Sequence, residues 1–212
     1  MYQAGVIDKY FKLRYLFFKW RCSLTLVNKI SLSLTMACFT GLLAQIYIPL
    51  PFTPVPITGQ VLGVLLSGVI CGGVFGAFSQ IIYVGLGLVG IPWAAGGQTI
   101  SFISPTSGYF LGFILASFLI GRYTDRYIWA RKFFPQVWLM MFGVGIIYFC
   151  GAVVLSLVIK SGFYETMLKG VIPFIIVDLI KACISAGLSF SILPKASYNG
   201  ERDKWKYTQQ RY

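Results

Sequence analysis

Between residues 170 and 194 the only charged residues are Asp178 and Lys181. The stretch around them is apolar enough to lie within lipid, where each charge costs about 3 kcal/mol and usually faces a cavity or an opposite charge. At i, i+3 the two share one helix face. Lys offers three donors and a positive charge, whereas an ionised Asp offers only acceptors. The pattern has two readings, a structural ion pair or a site for a polar, anionic solute. A second polar concentration is Gln98, Thr99, Ser101, Ser104, Thr106 and Ser107, beside Gly96-Gly97. It is expected on the same side as Thr53 and Thr58. It carries no charge and is bracketed by Trp93 and Phe102. The plain reading is a solvated loop. The sharper one is a lid over a mostly apolar pocket with a few polar handles.

Other chemistries are excluded or weak. There is no His, which removes His triads, HExxH zinc sites and His-ligated haem. The five Cys at 22, 38, 71, 150 and 183 form no CxxC pair and imply neither zinc nor a disulfide framework. Gly85-Leu-Gly87-Leu-Val-Gly90 matches GxGxxG, but it ends an apolar helix and runs toward Pro92. A dinucleotide site needs a strand before the motif and a helix after it. No GxxxxGK[ST] is present, so the chain has no phosphate-cradling loop and any energised process must draw on a partner or an ion gradient. A membrane-embedded acid/base enzyme built on Asp178 would lack a second intramembrane carboxylate.

The elements that position Asp178 and Lys181 follow from where charge is missing. Of 212 residues, 57% are hydrophobic and only 11% charged, and the mean hydropathy is +0.76. A soluble domain carries roughly 25% charged residues. Residues 30–121 and 133–159 carry no charge at all. A spanning helix needs about 20 apolar residues, so the chain reads as an all-α membrane protein with six transmembrane helices. Glycine and proline punctuation places them near 26–48, 57–71, 74–90, 105–121, 137–159 and 172–193. Pro49-Leu-Pro-Phe-Thr-Pro-Val-Pro56 cannot be helical. The second helix is short, so this proline-rich loop is expected to dip to membrane depth, where protein must bury it or it must line a cavity.

The remaining charges set orientation. The segment through Lys29, the loop holding Arg122, Arg126, Arg131 and Lys132, and the segment from Lys195 onward contain all but three of the 18 Lys and Arg. Lys181 lies within the last span, and only Lys160 and Lys169 fall on the opposite side. The positive-inside rule then predicts both termini in the cytoplasm, with the opposite loops capping a ligand pocket. This also accounts for the net charge of +12 without nucleic acid. Residues 1–25 read as a basic, aromatic leader lying on the membrane surface, 26–193 as the membrane domain, and 194–212 as a basic cytoplasmic tail. No cleavable signal peptide is evident. Small residues at i, i+4, including Ala37/Gly41, Gly59/Gly63, Gly68/Gly72 and Gly108/Gly112, permit close helix packing. The Ala37/Gly41 pair can be internal or an external docking face.

Three segments carry a family resemblance. Ile48-Pro-Leu-Pro-Phe-Thr-Pro-Val-Pro-Ile-Thr58, Ser104-Pro-Thr-Ser-Gly-Tyr-Phe-Leu-Gly-Phe113 and Asp178-Leu-Ile-Lys181 resemble, in order, motifs of the BioY family of biotin transporters. The resemblance covers roughly residues 30–193. It departs at Ser104 and Ser107, where glycine is expected, and at Gln98, where some members have Arg. It implies a biotin-binding S component of an energy-coupling factor transporter in the cell membrane, neither an enzyme nor a cofactor protein. Its implied partners are a transmembrane T component and two ATPase subunits, the T component docking at a small-xxx-small motif where Ala37 and Gly41 fall. The implied ligand-site residues are Asp178, Lys181, Gln98, Tyr83, Trp93, Gly97 and Thr53, with Tyr83 and Trp93 packing on the ring body. Which end of biotin meets which charge stays open at this level. An S component for another vitamin or small anionic solute is the alternative.

Overall fold

The computed structural model describes residues 2–160 and 162–196. Its helices are α1 (Tyr2–Ser23), α2 (Leu26–Ala44), α3 (Gln60–Cys71), α4 (Gly73–Leu88), α5 (Ser107–Arg126), α6 (Phe133–Ile159), α7 (Phe163–Gly170) and α8 (Ile175–Ile192). Among the described residues, three helical stretches are long and apolar enough to cross a membrane: Leu26–Ala44, Phe133–Ile159 and Phe163–Ile192, the last holding α7 and α8. The helices α3 and α4 are shorter and apolar. In α5 the last turns carry Arg122, Asp125 and Arg126.

Local chemistry explains the boundaries. The Thr25 hydroxyl accepts from the Asn28 N–H at the start of α2, the ordinary role of an N-capping Thr. Gly72, at φ +84°, separates α3 from α4 in a conformation that side chains avoid. The expected first span stops at Ala44 rather than 48, because Tyr47–Ile48 (β1) pairs antiparallel with Ile57–Thr58 (β2). Tyr47 faces Thr58 and Ile48 faces Ile57, so this ribbon closes the proline-rich loop into a rigid hairpin. The fourth span runs one turn further than expected, to Arg126, and the fifth begins at Phe133. The short helix α7 was not anticipated, since eight residues carrying Glu165 and Lys169 read as a loop.

The core lies between α5 and the helices around it, with α6 its most extensive neighbour. Close approach there depends on Gly112: a Cβ at that position would stand 2.6 Å from the Ile147 Cα. The small-residue pairs are internal. Ala37 and Gly41 are both buried, and a Cβ on Gly41 would meet the Trp93 ring at 3.1 Å. Both positions therefore lie inside the bundle and not on its outer surface. Gly41 leaves room for the Trp93 ring against α2.

The leader is a helix, as its composition suggests, but it is fastened rather than loose. Arg14 donates to the Leu193 carbonyl at the end of α8, and Arg21 pairs with Asp125 of α5. Arg21 also donates to the Val69 carbonyl of α3 at 2.6 Å. Arg131 donates to the carbonyls of Thr124, Asp125 and Pro194 at 2.9, 3.0 and 3.2 Å. Burial pushes the Arg131 guanidinium down from its ordinary value, with Asp125 opposing that shift. The expected tail at 194–212 lies outside the described residues beyond 196.

Candidate functional site

A cavity of about 420 Å³ opens between the proline-rich hairpin, the 94–106 loop, α5, α6 and α8. Small-molecule sites commonly measure about 300–1,000 Å³. Gln98, Thr99, Ser101 and Tyr47 line its mouth and are exposed. Val55, Tyr109, Phe110, Phe113, Phe174 and Asp178 line it and are buried. The result is an apolar chamber with an uncharged polar rim and one ion pair inside.

That ion pair is tightly organised. The Lys181 ammonium donates to Asp178 Oδ1 at 2.7 Å and to the Thr58 carbonyl at 2.6 Å. The other carboxylate oxygen, Oδ2, accepts from the Tyr148 hydroxyl at 2.7 Å. The Asp178 side chain is 5% exposed and that of Lys181 14%. Two of the three Lys181 N–H groups are therefore committed, and one is left to aim into the cavity. Each Asp178 oxygen keeps accepting capacity as well. The pair has no net charge, so the chamber holds a fixed dipole.

From Thr58 a chain of polar contacts leads away from the cavity. The Thr58 hydroxyl donates to Gln60 Oε1 at 2.8 Å, and Gln60 Nε2 donates to the Tyr83 hydroxyl at 2.6 Å. The Trp93 indole N–H donates to the Tyr83 carbonyl at 3.0 Å. The two rings lie 5.4 Å apart at 35°. Gly96 and Gly97 take left-handed φ values of 66° and 81°, so the loop can turn back over the mouth.

Of the seven expected site residues, Asp178, Lys181 and Gln98 line the cavity. Tyr83, Trp93, Gly97 and Thr53 lie outside its lining. Tyr83 is fully buried behind the wall with Trp93 stacked on it. Gly97 turns the loop at φ 81° and donates its N–H to the Ala94 carbonyl at 2.9 Å. The Thr53 hydroxyl is spent on the Lys169 carbonyl at 2.6 Å, tying the proline-rich loop to α7. The sequence reading missed Gln60, Tyr109 and Tyr148. For Tyr148 the one available signal was a hydroxyl within the uncharged 133–159 run, and nothing local tells which way it points. Among the described residues, no group of three or more Cys, Asp or Glu could hold a metal.

The chain is 43% identical, over 65% of its length and 94% of the relative's, to a probable biotin transporter BioY of Methanothermobacter thermautotrophicus. It is 36% identical, over 70% of its length and 87% of the relative's, to the biotin transporter BioY of Thermotoga maritima. Its fold matches a crystal structure of the S component for biotin from an ECF-type ABC transporter. That match has a TM-score of 0.72 and 28% identity, covering 79% of this chain and 93% of the other. The BioY family model matches residues 15–197, and on that span the chain belongs to the BioY family.

Proposed function

We propose that this chain is the biotin-binding S component of an energy-coupling factor transporter. It holds biotin in the chamber and is energised by a T component and two ATPase subunits. The family assignment and the fold match support the solute and the module. The sequence holds no phosphate-cradling GxxxxGK[ST], which is consistent with ATP being bound by a partner. In this reading the chain sits in the cell membrane with six spans, α2 to α6 and α8. Both termini face the cytoplasm, as the Lys and Arg distribution requires.

The observation that carries the reading is the neutral Asp178–Lys181 pair inside an apolar chamber. It also supports one orientation of the ligand over the other. A carboxylate placed there would be stripped of water beside the Asp178 carboxylate, facing a Lys already neutralised. A ureido group carries no charge and offers two N–H donors and one acceptor oxygen. Asp178 accepts from the ureido N–H side and the remaining Lys181 N–H donates to its oxygen. Phe110, Phe113 and Phe174 cover the apolar thioether ring. The flexible carboxylate tail then points to the uncharged rim, where Gln98, Thr99 and Ser101 offer hydrogen bonds and water keeps it solvated.

The test is titration of purified protein with biotin and a panel of other water-soluble vitamins. Saturable binding of biotin alone is expected. A biotin analogue with its carboxylate converted to a neutral amide should bind nearly as well, whereas one lacking a ureido N–H should not. Preference for a different vitamin would reassign the solute. Strong dependence on the carboxylate would reverse the orientation.

A further inference from the structure

The leader helix α1 does not continue α2. The Tyr10 hydroxyl donates to the Ser191 carbonyl of α8 at 2.8 Å, and eleven residues later Arg21 reaches the Val69 carbonyl of α3 and the Asp125 carboxylate of α5. Eleven helical residues cover about 16 Å, so α1 crosses the bundle end where α3, α5 and α8 finish. Only Leu24 and Thr25 separate it from α2, whose first turn exposes Leu26, Val27 and Ile30. Exposed apolar residues there place the lipid boundary within a turn or two of α1. The strap therefore lies along the membrane surface at headgroup depth.

Its two faces differ. The inner face carries Arg14, Phe18 and Arg21. The Phe18 ring lies between two guanidiniums, with the Arg21 carbon at 4.9 Å and the Arg131 carbon at 4.5 Å from its centroid. The outer face exposes Lys9, Lys12, Leu13, Leu16, Lys19 and Trp20. Helical spacing gathers these six onto one side. Alternating long cations with Leu and Trp suits a headgroup layer, where stems and rings sit in the apolar part and ammonium groups meet phosphate. The same end exposes Arg122, Arg126 and Lys132, together with the aromatic rings of Tyr123, Tyr127 and Trp129. Cations gathered at one membrane surface complement anionic lipid and not a neutral one.

We infer that α1 is an interfacial strap whose inner face locks the ends of α3, α5 and α8 and whose outer face takes anionic lipid headgroups. The charge of the adjoining leaflet then stabilises the helix that carries Asp178 and Lys181. Lipid drawn to Lys9, Lys12 and Lys19 presses α1 onto the bundle, and Tyr10 and Arg14 pass that restraint to the end of α8. The inference rests on these helix ends sharing one membrane surface, which is part of the proposed topology, and not on the identity of the solute.

The experiment compares thermal unfolding of the full chain in nanodiscs of phosphatidylcholine alone and of phosphatidylcholine mixed with phosphatidylglycerol. Both leaflets of a disc are alike, so the result does not depend on which side the termini occupy. Wild type is expected to gain roughly 5 °C from the anionic lipid, and high salt should shrink that gain. The triple change Lys9→Gln, Lys12→Gln and Lys19→Gln should leave unfolding in pure phosphatidylcholine unchanged and remove most of the gain. Arg14→Gln with Arg21→Gln should lower unfolding in both lipids and also remove the gain, because lipid then holds a strap that no longer grips the bundle. If that variant does not fold, the phosphatidylglycerol retained by wild type and by the triple variant through detergent purification gives a second measure, with less expected on the triple variant. A wild type without a gain, or a triple variant that keeps the whole of it, overturns the inference and leaves the face to a protein partner. Biotin titration of the same samples reports separately on the proposed function.

Discussion

Tyr148 and Asp178 sit on different helices, thirty residues apart, and are joined by a 2.7 Å hydrogen bond from the phenol to Oδ2. With Lys181 on Oδ1, each oxygen of the buried carboxylate has one fixed donor. The carboxylate plane is thereby set before any ligand arrives. Tyr148 also lines a second, apolar groove between α6 and α7, so this one side chain borders both that groove and the chamber.

Tyr148→Phe keeps the wall and removes the donor. A hydrogen bond to a charged group contributes about 1.5–3 kcal/mol. Biotin affinity is expected to fall about tenfold or more, with the fold retained, as read by ligand titration alongside circular dichroism. Unchanged affinity would show that Lys181 alone orients the carboxylate.

The ion pair itself can be separated from its scaffold role. Asp178→Asn or Lys181→Met alone leaves one buried charge unpaired, at a cost of about 3–5 kcal/mol. The double change should regain thermal stability because no charge remains. It should still bind biotin at least about tenfold more weakly, or roughly 1.4 kcal/mol. A stable double variant with normal binding would make the pair scaffold only and move the site toward Gln60 and Gln98.

Gly41→Leu tests where the inner face of α2 looks. The added side chain would drive into Trp93, whose ring already approaches within van der Waals distance. Overpacking of this kind costs about 1–3 kcal/mol. A lower melting temperature of the isolated protein, with weaker biotin binding, is expected. If stability and binding are untouched and only energised uptake is lost, Gly41 belongs to an outward docking face after all.

Topology has a direct check. Reporter fusions at Tyr212 and within the 160–170 connection that holds α7 should give opposite signals, cytoplasmic for the first. Matching signals would refute six spans.

The sequence by itself determined the class of protein, because the energetics of lipid act on composition. Each residue type carries its own cost of transfer into hydrocarbon, and that cost is large for charges. The charge-free runs 30–121 and 133–159, the proline cluster at 49–56 and the isolated pair Asp178/Lys181 were legible for that reason. The ordered motifs around them were enough to suggest the family. Only the tertiary structure decided which face each helix turns inward. Ala37 and Gly41 share a stripe in any helix, but whether the stripe meets lipid or Trp93 depends on how α2 is rotated against α4 and the 89–97 loop. Tyr83 and Tyr148 are both lone phenols in apolar helices. One is spent behind the wall on Gln60 and the other on the central carboxylate. Thr53 and Thr58 are five residues apart, yet one ties down α7 with its hydroxyl while the other offers its carbonyl to Lys181. Each outcome turns on long-range packing. A hydrogen bond needs its partner within about 3 Å and correctly aimed, and no local pattern fixes the distance between segments a hundred residues apart.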